Sequence, residues 1–370
     1  MNFHTILKKV FVKSSIKNYP VYIGKNSFDL LPELIIEYSL KGRIFVIIDR
    51  KVNKLFKNEI EKIYKTISDK IHFSVLTASE KTKSLEEASK IYSALYREQF
   101  GKDTLLIAIG GGTIGDLAGF IASTFMRGVS LIHIPTTLLS IVDSSIGGKT
   151  GVNFRSTKNL IGTFYQPDIV VSDTNFLKTL TDEEMISGFG EVIKYSYLTD
   201  KWFYDKLLSA PRLLNNPTEN FLNEVILECI KIKSAVVAQD EFEKSGLRKI
   251  LNFGHTFAHA YEAISDYKIP HGKAVIIGIL NALNLSYEVG LINQKQLDKM
   301  IELPLKFKDE LKITNFDEND IYRSMQYDKK NKGGKNRFVL IKNFGELLVD
   351  VEANKNSVLK SIRKTKKDLV

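Results

Sequence analysis

The run Thr104-Leu-Leu-Ile-Ala-Ile109, followed at once by Gly110-Gly-Gly-Thr-Ile-Gly-Asp116, leaves this chain few ways to fold. The first segment is aliphatic throughout after its threonine and reads as a buried strand. Gly110, Gly112 and Gly115 then form G-x-G-x-x-G ahead of a helical stretch. Side-chain-free residues let the backbone approach a pyrophosphate, and the amides and dipole of a helix N-terminus favour its negative charge. A tight turn needing positive φ would use the same glycines, so other features of the chain must decide between the two.

The surroundings favour an α/β fold. Short β-branched runs at Arg43 to Ile48, Ile71 to Leu76, Thr104 to Ile109, Leu131 to Ile134 and Ile169 to Ser172 alternate with amphipathic stretches. That order predicts βαβ units and a largely parallel, Rossmann-like sheet. Beyond Thr181 the strand signals thin out and 3.6-residue periodicity dominates, over Trp202 to Leu208, Phe221 to Ala238, Thr256 to Ala263 and Ala274 to Val289. Thr181 followed by Asp182, Glu183 and Glu184 reads as a capped helix start. A chain of 370 residues exceeds the ~250–300 that one core usually holds. Two domains are therefore expected, a Rossmann-like domain over 1–180 and a mainly α-helical domain over 181–370. A standard Rossmann unit would place a ribose-binding acid about 20 residues beyond the glycine loop. Pro135-Thr136-Thr137 stand there instead, and Asp49, ending an earlier strand, is placed either to do that job or to serve in a turn.

Composition narrows the chemistry. A single cysteine, Cys229, excludes an internal disulfide and any multi-cysteine metal centre, so a metal would need His, Asp or Glu ligands; a reducing, cytoplasmic setting is expected. Met1 to Ser15 lack the apolar core of a secretory leader. The apolar run Ala274 to Leu283 is about half of the ~20 residues a membrane-spanning helix needs. The net charge of +10 comes from dispersed lysines without an aromatic-interleaved basic cluster. No nucleic-acid or membrane partner is expected, and a small anionic substrate suits the charge.

Two further clusters carry chemistry. Asn252-Phe-Gly-His255-Thr-Phe-Ala-His259 sets two histidines on one helix face, His271 follows soon after, and Gly190-Glu191 offers a carboxylate. Such a set suits a divalent cation, although a lone histidine is more often a satisfied polar residue. Spacing nominates His255 and His259 as paired ligands but cannot say which histidine binds metal and which moves protons. Asp143-Ser-Ser-Ile-Gly-Gly-Lys149 and Lys158-Asn159 place cations and amides among glycines, a combination suited to phosphate or carboxylate groups. The polar stretch Thr136 to Gly162 reads as a loop longer than a plain connection needs.

The strings GGGTIGDLAGF, RGVSLIHIPTTLLSIVDSSIGGKTGVNF, KNLIGTFYQP, GEVIKY and LNFGHTFAHAYEA, in that order, closely resemble the dehydroquinate synthase family. The likeness runs from about residue 40 to 345 and rests on long strings of low degeneracy. It implies a cytoplasmic homodimer that binds NAD and one divalent metal, zinc or cobalt, and acts on a small anionic sugar phosphate. The implied reaction converts 3-deoxy-D-arabino-heptulosonate 7-phosphate to 3-dehydroquinate and phosphate, in the shikimate pathway.

Carried over by motif, the resemblance makes Glu191, His255 and His271 the metal ligands and His259 a proton-handling residue. For NAD it implies Asp49, Glu80 and Lys83 near the adenosine, and Gly111, Gly112, Thr113, Gly115 and Asp116 at the phosphates. Thr136, Thr137, Lys149, Lys158, Phe176 and Thr179 complete that set. For catalysis and substrate it implies Asp143, Lys149, Lys158, Asn159, Lys194, Lys233, Arg248, Asn252 and one of Lys329 and Lys330, with Arg127 reaching the partner subunit's phosphate site. Two departures stand out. Ala78-Ser79-Glu80 replaces the usual DGE, and His271-Gly272-Lys273 replaces HGE. The competing readings are a sister sugar phosphate cyclase, of the 2-deoxy-scyllo-inosose or valiolone type, and a metal-dependent polyol dehydrogenase. Lys233 and Arg248, suited to a carboxylate, weigh against the first; the SSIGGKT and KNLIG strings weigh against the second. A non-catalytic binding protein on the same fold would have no need of the ligand set.

Overall fold

The computed structural model describes residues 7–67, 71–155, 157–210, 217–311, 316–326 and 336–370. The chain forms two compact units, Met1–Thr181 with Thr218–Ala238, and Asp182–Pro217 with Gln239–Val370.

The first unit is built on a seven-stranded sheet. Its strands are β1 (Lys8–Val12), β2 (Tyr19–Ile23), β3 (Ile44–Asp49), β4 (Ile71–Leu76), β5 (Leu105–Gly110), β6 (Ser130–Pro135) and β9 (Ile169–Ser172); β7 (Lys149–Phe154) and β8 (Thr157–Phe164) form a separate antiparallel hairpin. The sheet order is β1-β2-β9-β6-β5-β3-β4, parallel throughout except for the β1–β2 edge. Strands buried on both faces carry unbroken aliphatic runs, because successive side chains point to opposite sides. Val46, Ile48, Ile107, Ile109 and Ile132 pack on one side with the helices Leu31–Glu37 and Lys57–Ile67. Phe45, Ile47, Leu106, Ala108 and Leu131 pack on the other with the helices Leu85–Arg97 and Gly112–Thr124. Each of these Val, Leu, Ile and Phe side chains, fully buried, contributes about 1.5–3 kcal/mol of transfer free energy.

Two expectations are corrected here. The stretch Thr136 to Gly162, read from the sequence as a long loop, contains a π-helical turn (Ser140–Ser144), β7 and most of β8. The helix Glu219–Gln239, expected within a 181–370 domain, lies almost wholly in the first unit.

The second unit is mainly helical. Its centre is the helix His271–Glu288, buried at every position from Ala274 to Ser286, which explains the longest apolar run of the sequence. The helices Asp182–Tyr197, His255–Ile264 and Lys355–Asp368 pack around it. A hairpin of β10 (Arg337–Asn343) and β11 (Glu346–Glu352), which the sequence reading did not place, adds to these in a unit that is otherwise helical among the described residues. Among the described residues no helix is long and apolar enough to cross a membrane.

Candidate active site

Within the second unit, three helices bring Glu191, His255 and His271 together. Glu191 lies late in the helix Asp182–Tyr197, and His255 and His271 are the first residues of their helices. Each of the three stands beside a glycine that permits close approach. A methyl group on Gly190 would sit 2.3 Å from the carbonyl oxygen of Gly272, and one on Gly272 1.8 Å from that of Ser187. Gly254, with φ +79°, precedes His255, and a methyl there would meet the backbone nitrogen of Ile279 at 2.8 Å. Ser187 Oγ also accepts the Gly272 N–H at 3.2 Å.

His271 Nε2 and His255 Nε2 lie 3.2 Å and 3.4 Å from Glu191 Oε1, and one ligand atom from each of the three residues lies within 4.8 Å of the others. Two imidazole nitrogens and one carboxylate oxygen form a ligand set typical of catalytic zinc, with room for a further ligand. The residues present therefore fit a borderline cation such as zinc or cobalt better than magnesium or calcium, which prefer oxygen alone.

The electrostatics are those of closely spaced groups around a fully buried carboxylate. Burial drives the Glu191 carboxyl upward, but Lys194, which pairs with it, and His255 outweigh burial and hold it well below the usual carboxylate range. Burial lowers His255 to about 4. Burial also opposes protonation of His271, yet its contacts with Glu191 and Glu262 raise it to about 10. A cation at the Nε2 atoms would take the place of that proton. Lys194 is almost completely buried and faces the ring of Tyr195 at 4.6 Å.

His259 packs edge-on to His255, ring centroids 5.7 Å apart, outside the triad. The i, i+4 spacing thus places the two rings together, but the histidine that joins Glu191 and His255 is His271, from the start of the helix His271–Glu288, and not His259. Arg248 is buried and donates from Nη1 to the Glu241 carbonyl at 2.5 Å, with Glu243 4.0 Å from its Nε. Asn252 ends the short turn Leu247–Asn252, half-buried. Lys273, the departure from the family pattern, lies 3.8 Å and 3.6 Å from Glu183 and Glu310.

Within the first unit, β5 ends at Gly110 and the helix Gly112–Thr124 begins two residues later, so Gly111, Gly112, Thr113, Gly115 and Asp116 surround its N-terminus. Thr136 donates its N–H to the Gly110 carbonyl at 3.0 Å, and Thr137 approaches Gly111. Lys83, buried, pairs with Asp116. Asp49 caps the helix Arg50–Leu55 through Oδ1, which accepts from Lys51 and Val52, and Oδ2 accepts the Ala78 N–H at 3.1 Å. Phe176 and Thr179 line a cavity of about 470 Å³ with Phe28 and Phe56.

Lys149 opens β7 after Gly147 and Gly148, both at positive φ, and Lys158 and Asn159 follow on β8. Lys233 reaches back from the helix Glu219–Gln239 to bind the Asp143 carbonyl at 2.7 Å and its Oδ1 at 2.8 Å. Arg127 is exposed, at φ 59°. Lys329 and Lys330 lie outside the described residues.

Three residues that sequence reasoning passed over belong to these clusters. Tyr19, fully buried, accepts the Gly147 N–H at 3.0 Å behind the lysine turn. Asn153 links Glu80, through its Oε2 at 2.8 Å, to the Asn159 N–H at 2.9 Å. Glu262 faces His271 at 3.5 Å, and its place two helical turns after His255 was the sequence signal that could have found it.

Comparison with known proteins bears on these clusters. The profile for the 3-dehydroquinate synthase N-terminal region matches residues 73–187, and that for its C-terminal region matches residues 188–331. A 3-dehydroquinate synthase of Alkaliphilus metalliredigens (strain QYMF) is 39% identical over 343 residues, 92% of this chain and 94% of the relative. One of Pelagibacter ubique (strain HTCC1062) is 40% identical over 362 residues, 95% and 97% of the respective chains. Among solved structures, 2-deoxy-scyllo-inosose synthase complexed with carbaglucose-6-phosphate, NAD+ and Co2+ superposes with a TM-score of 0.87 at 22% identity, covering 96% of this chain and 100% of that one. A 2-epi-5-epi-valiolone synthase from Streptomyces hygroscopicus subsp. jinggangensis 5008 with NAD+ and Zn2+ bound gives 0.83 at 22%, covering 97% and 99%. At such identities the structural likeness speaks for the fold, whereas the sequence matches are far stronger and span nearly the whole chain. On the two profiles and those full-length relatives, the chain belongs to the 3-dehydroquinate synthase family.

Proposed function

We infer that this chain is a 3-dehydroquinate synthase, a phosphate-eliminating carbon–oxygen lyase that converts 3-deoxy-D-arabino-heptulosonate 7-phosphate to 3-dehydroquinate and phosphate. The observation that carries the reading is the Glu191, His255 and His271 seat, gathered on a fully buried carboxylate, in a chain 39% and 40% identical, over most of its length, to synthases of that name. Bound NAD and a zinc or cobalt ion would supply a reversible oxidation of the substrate and polarisation of its hydroxyls.

In this reading Glu191, His255 and His271 hold the metal, and Lys194 keeps Glu191 charged. His259, next to the seat but outside it, carries protons. The helix N-terminus at Gly111 to Asp116, with Thr136 and Thr137, holds the NAD phosphates, since its amides face the end of β5. Asp49, Glu80, Lys83, Phe176 and Thr179 serve the adenosine side; Asp49 does so while capping its helix, through lone pairs that the caps leave available. Lys149, Lys158, Asn159, Lys233, Arg248 and Asn252 receive the carboxylate and phosphate of the substrate. Lys233 orients Asp143 at the same time. Fixed cations and amides of this kind act by orientation and by stabilising developing charge. The same reading makes the protein a cytoplasmic homodimer in which Arg127 reaches the partner subunit's phosphate site and one of Lys329 and Lys330 contacts substrate.

The test is phosphate release from 3-deoxy-D-arabino-heptulosonate 7-phosphate with catalytic NAD, before and after chelation and zinc or cobalt restoration. Metal- and NAD-dependent release without net NADH is expected. Turnover of sedoheptulose 7-phosphate or glucose 6-phosphate instead would make the chain a sister cyclase, and net NADH formation a polyol dehydrogenase.

A further inference from the structure

A metal ion binds the bare nitrogen of a neutral imidazole, so a histidine ligand needs its other nitrogen to keep the proton and give it to an acceptor. Both histidines of the seat point Nε2 at Glu191 Oε1, and both place Nδ1 near an oxygen. For His255 that oxygen is the backbone carbonyl of Phe253, at 3.3 Å. For His271 it is the carboxylate of Glu262, Oε1 lying 3.5 Å from Nδ1. Glu262 is 6% exposed, on the same helix as His255, so one helix supplies a ligand and the group facing the other histidine ligand.

We propose that Glu262 is a positioning residue for the metal seat: its carboxylate accepts the Nδ1 proton of His271, fixes the tautomer and ring orientation, and leaves Nε2 bare toward the cation. A carboxylate behind the ring makes the nitrogen in front a better donor than a carbonyl does. The two histidines are therefore unequal ligands, with His271 the stronger. The inference rests on the reading that Glu191, His255 and His271 hold a divalent cation, and is independent of which sugar phosphate is turned over.

Full-length protein is stripped with chelator, and Zn2+ affinity is measured by competition with a chromophoric chelator for the wild type, Glu262→Gln, Glu262→Asp and His271→Ala. Glutamine has the size of glutamate, but its amide can donate to Nδ1 and so admit the wrong tautomer. Glu262→Gln is expected to weaken Zn2+ binding about 10- to 100-fold. Glu262→Asp should recover part of that loss, and NAD affinity, read by fluorescence titration, should stay within about twofold of the wild type. The visible absorption of the Co2+-loaded protein should change in Glu262→Gln. Wild-type affinity and an unchanged Co2+ spectrum in Glu262→Gln would overturn the proposal. So would a parallel loss of NAD and metal binding in both Glu262 variants, which marks a general loss of fold. Comparison of wild type with His271→Ala tests the seat itself: equal affinities there overturn the ligand assignment and, with it, the role given to Glu262.

Discussion

The crossing of Gly190 and Gly272 offers the sharpest test of how the metal seat is made. In Gly190→Ala the new methyl group would start 2.3 Å from the Gly272 carbonyl oxygen. A carbon–oxygen contact settles near ~3.4 Å, so the two helices must part by about 1 Å. The obstacle is backbone, not the flexible end of a side chain, so rotamer changes cannot absorb it. Glu191 follows Gly190 directly and His271 precedes Gly272, so the displacement falls on two of the three proposed ligands. Metal–ligand bonds tolerate only about 0.2 Å, a fifth of that shift. Metal affinity should therefore fall by about 100-fold or more, equivalent to about 2.7 kcal/mol, with overpacking costing about 1–3 kcal/mol of stability besides. The assay is chelator competition alongside urea unfolding of the metal-free protein. Gly290→Ala is the control: Gly290 has φ +77° and nothing within 4 Å of the new methyl, so it should lose about 1 kcal/mol through backbone strain while binding metal normally. Wild-type metal affinity in Gly190→Ala would refute the argument that this glycine contact sets the ligand geometry.

Further outcomes follow from buried charges in the first unit. Lys83→Met leaves Asp116, whose carboxyl burial already pushes upward, without its buried partner; urea unfolding should show a loss of about 3 kcal/mol near neutral pH, and adding Asp116→Asn should restore part of it. An unchanged midpoint would show that the pair contributes nothing. Burial lowers the His133 imidazole from its usual 6.5 to about 4, so the unfolded chain takes up a proton there before the folded one does. Stability from this group is full above pH 6.5 and is lost as pH falls toward 4, by at most about 3 kcal/mol. His133→Gln should flatten that part of the stability–pH profile, and parallel profiles for the two proteins would count against it.

Five of the sheet's seven strands were legible because buried parallel strands carry their signal in single runs of side chains; β1 and β2 were not placed. Ile71–Leu76 and Ile169–Ser172 fall where β-branched residues predict them, and the others of the five shift by about a residue. The hairpin of β7 and β8 was not legible, since Gly151 faces Gly162 across it and glycine has weak strand preference. β10 and β11 carried a signal in Phe338-Val-Leu-Ile341 and in the turn at Gly345, overshadowed by the helical periodicity around them. The glycine loop and the histidine cluster could be located from spacing. Spacing could not tell His259 from His271, because that depends on which histidine the fold brings beside Glu191, a matter of tertiary packing. Nor could it join Lys233 to Asp143, 90 residues apart.

That last pair has a consequence for how the protein is made. The first unit is interrupted: its final helix, within Thr218–Ala238, is translated after the opening segment of the second unit. At about 5–20 residues per second, the stretch from 181 to 238 takes the ribosome several seconds. During that interval the nascent sheet lacks the helix carrying Lys233, and Asp143 waits for its lysine. A fragment ending at Thr181 should accordingly fail to fold on its own, and a gene split at that point should yield active protein only where the separate pieces associate.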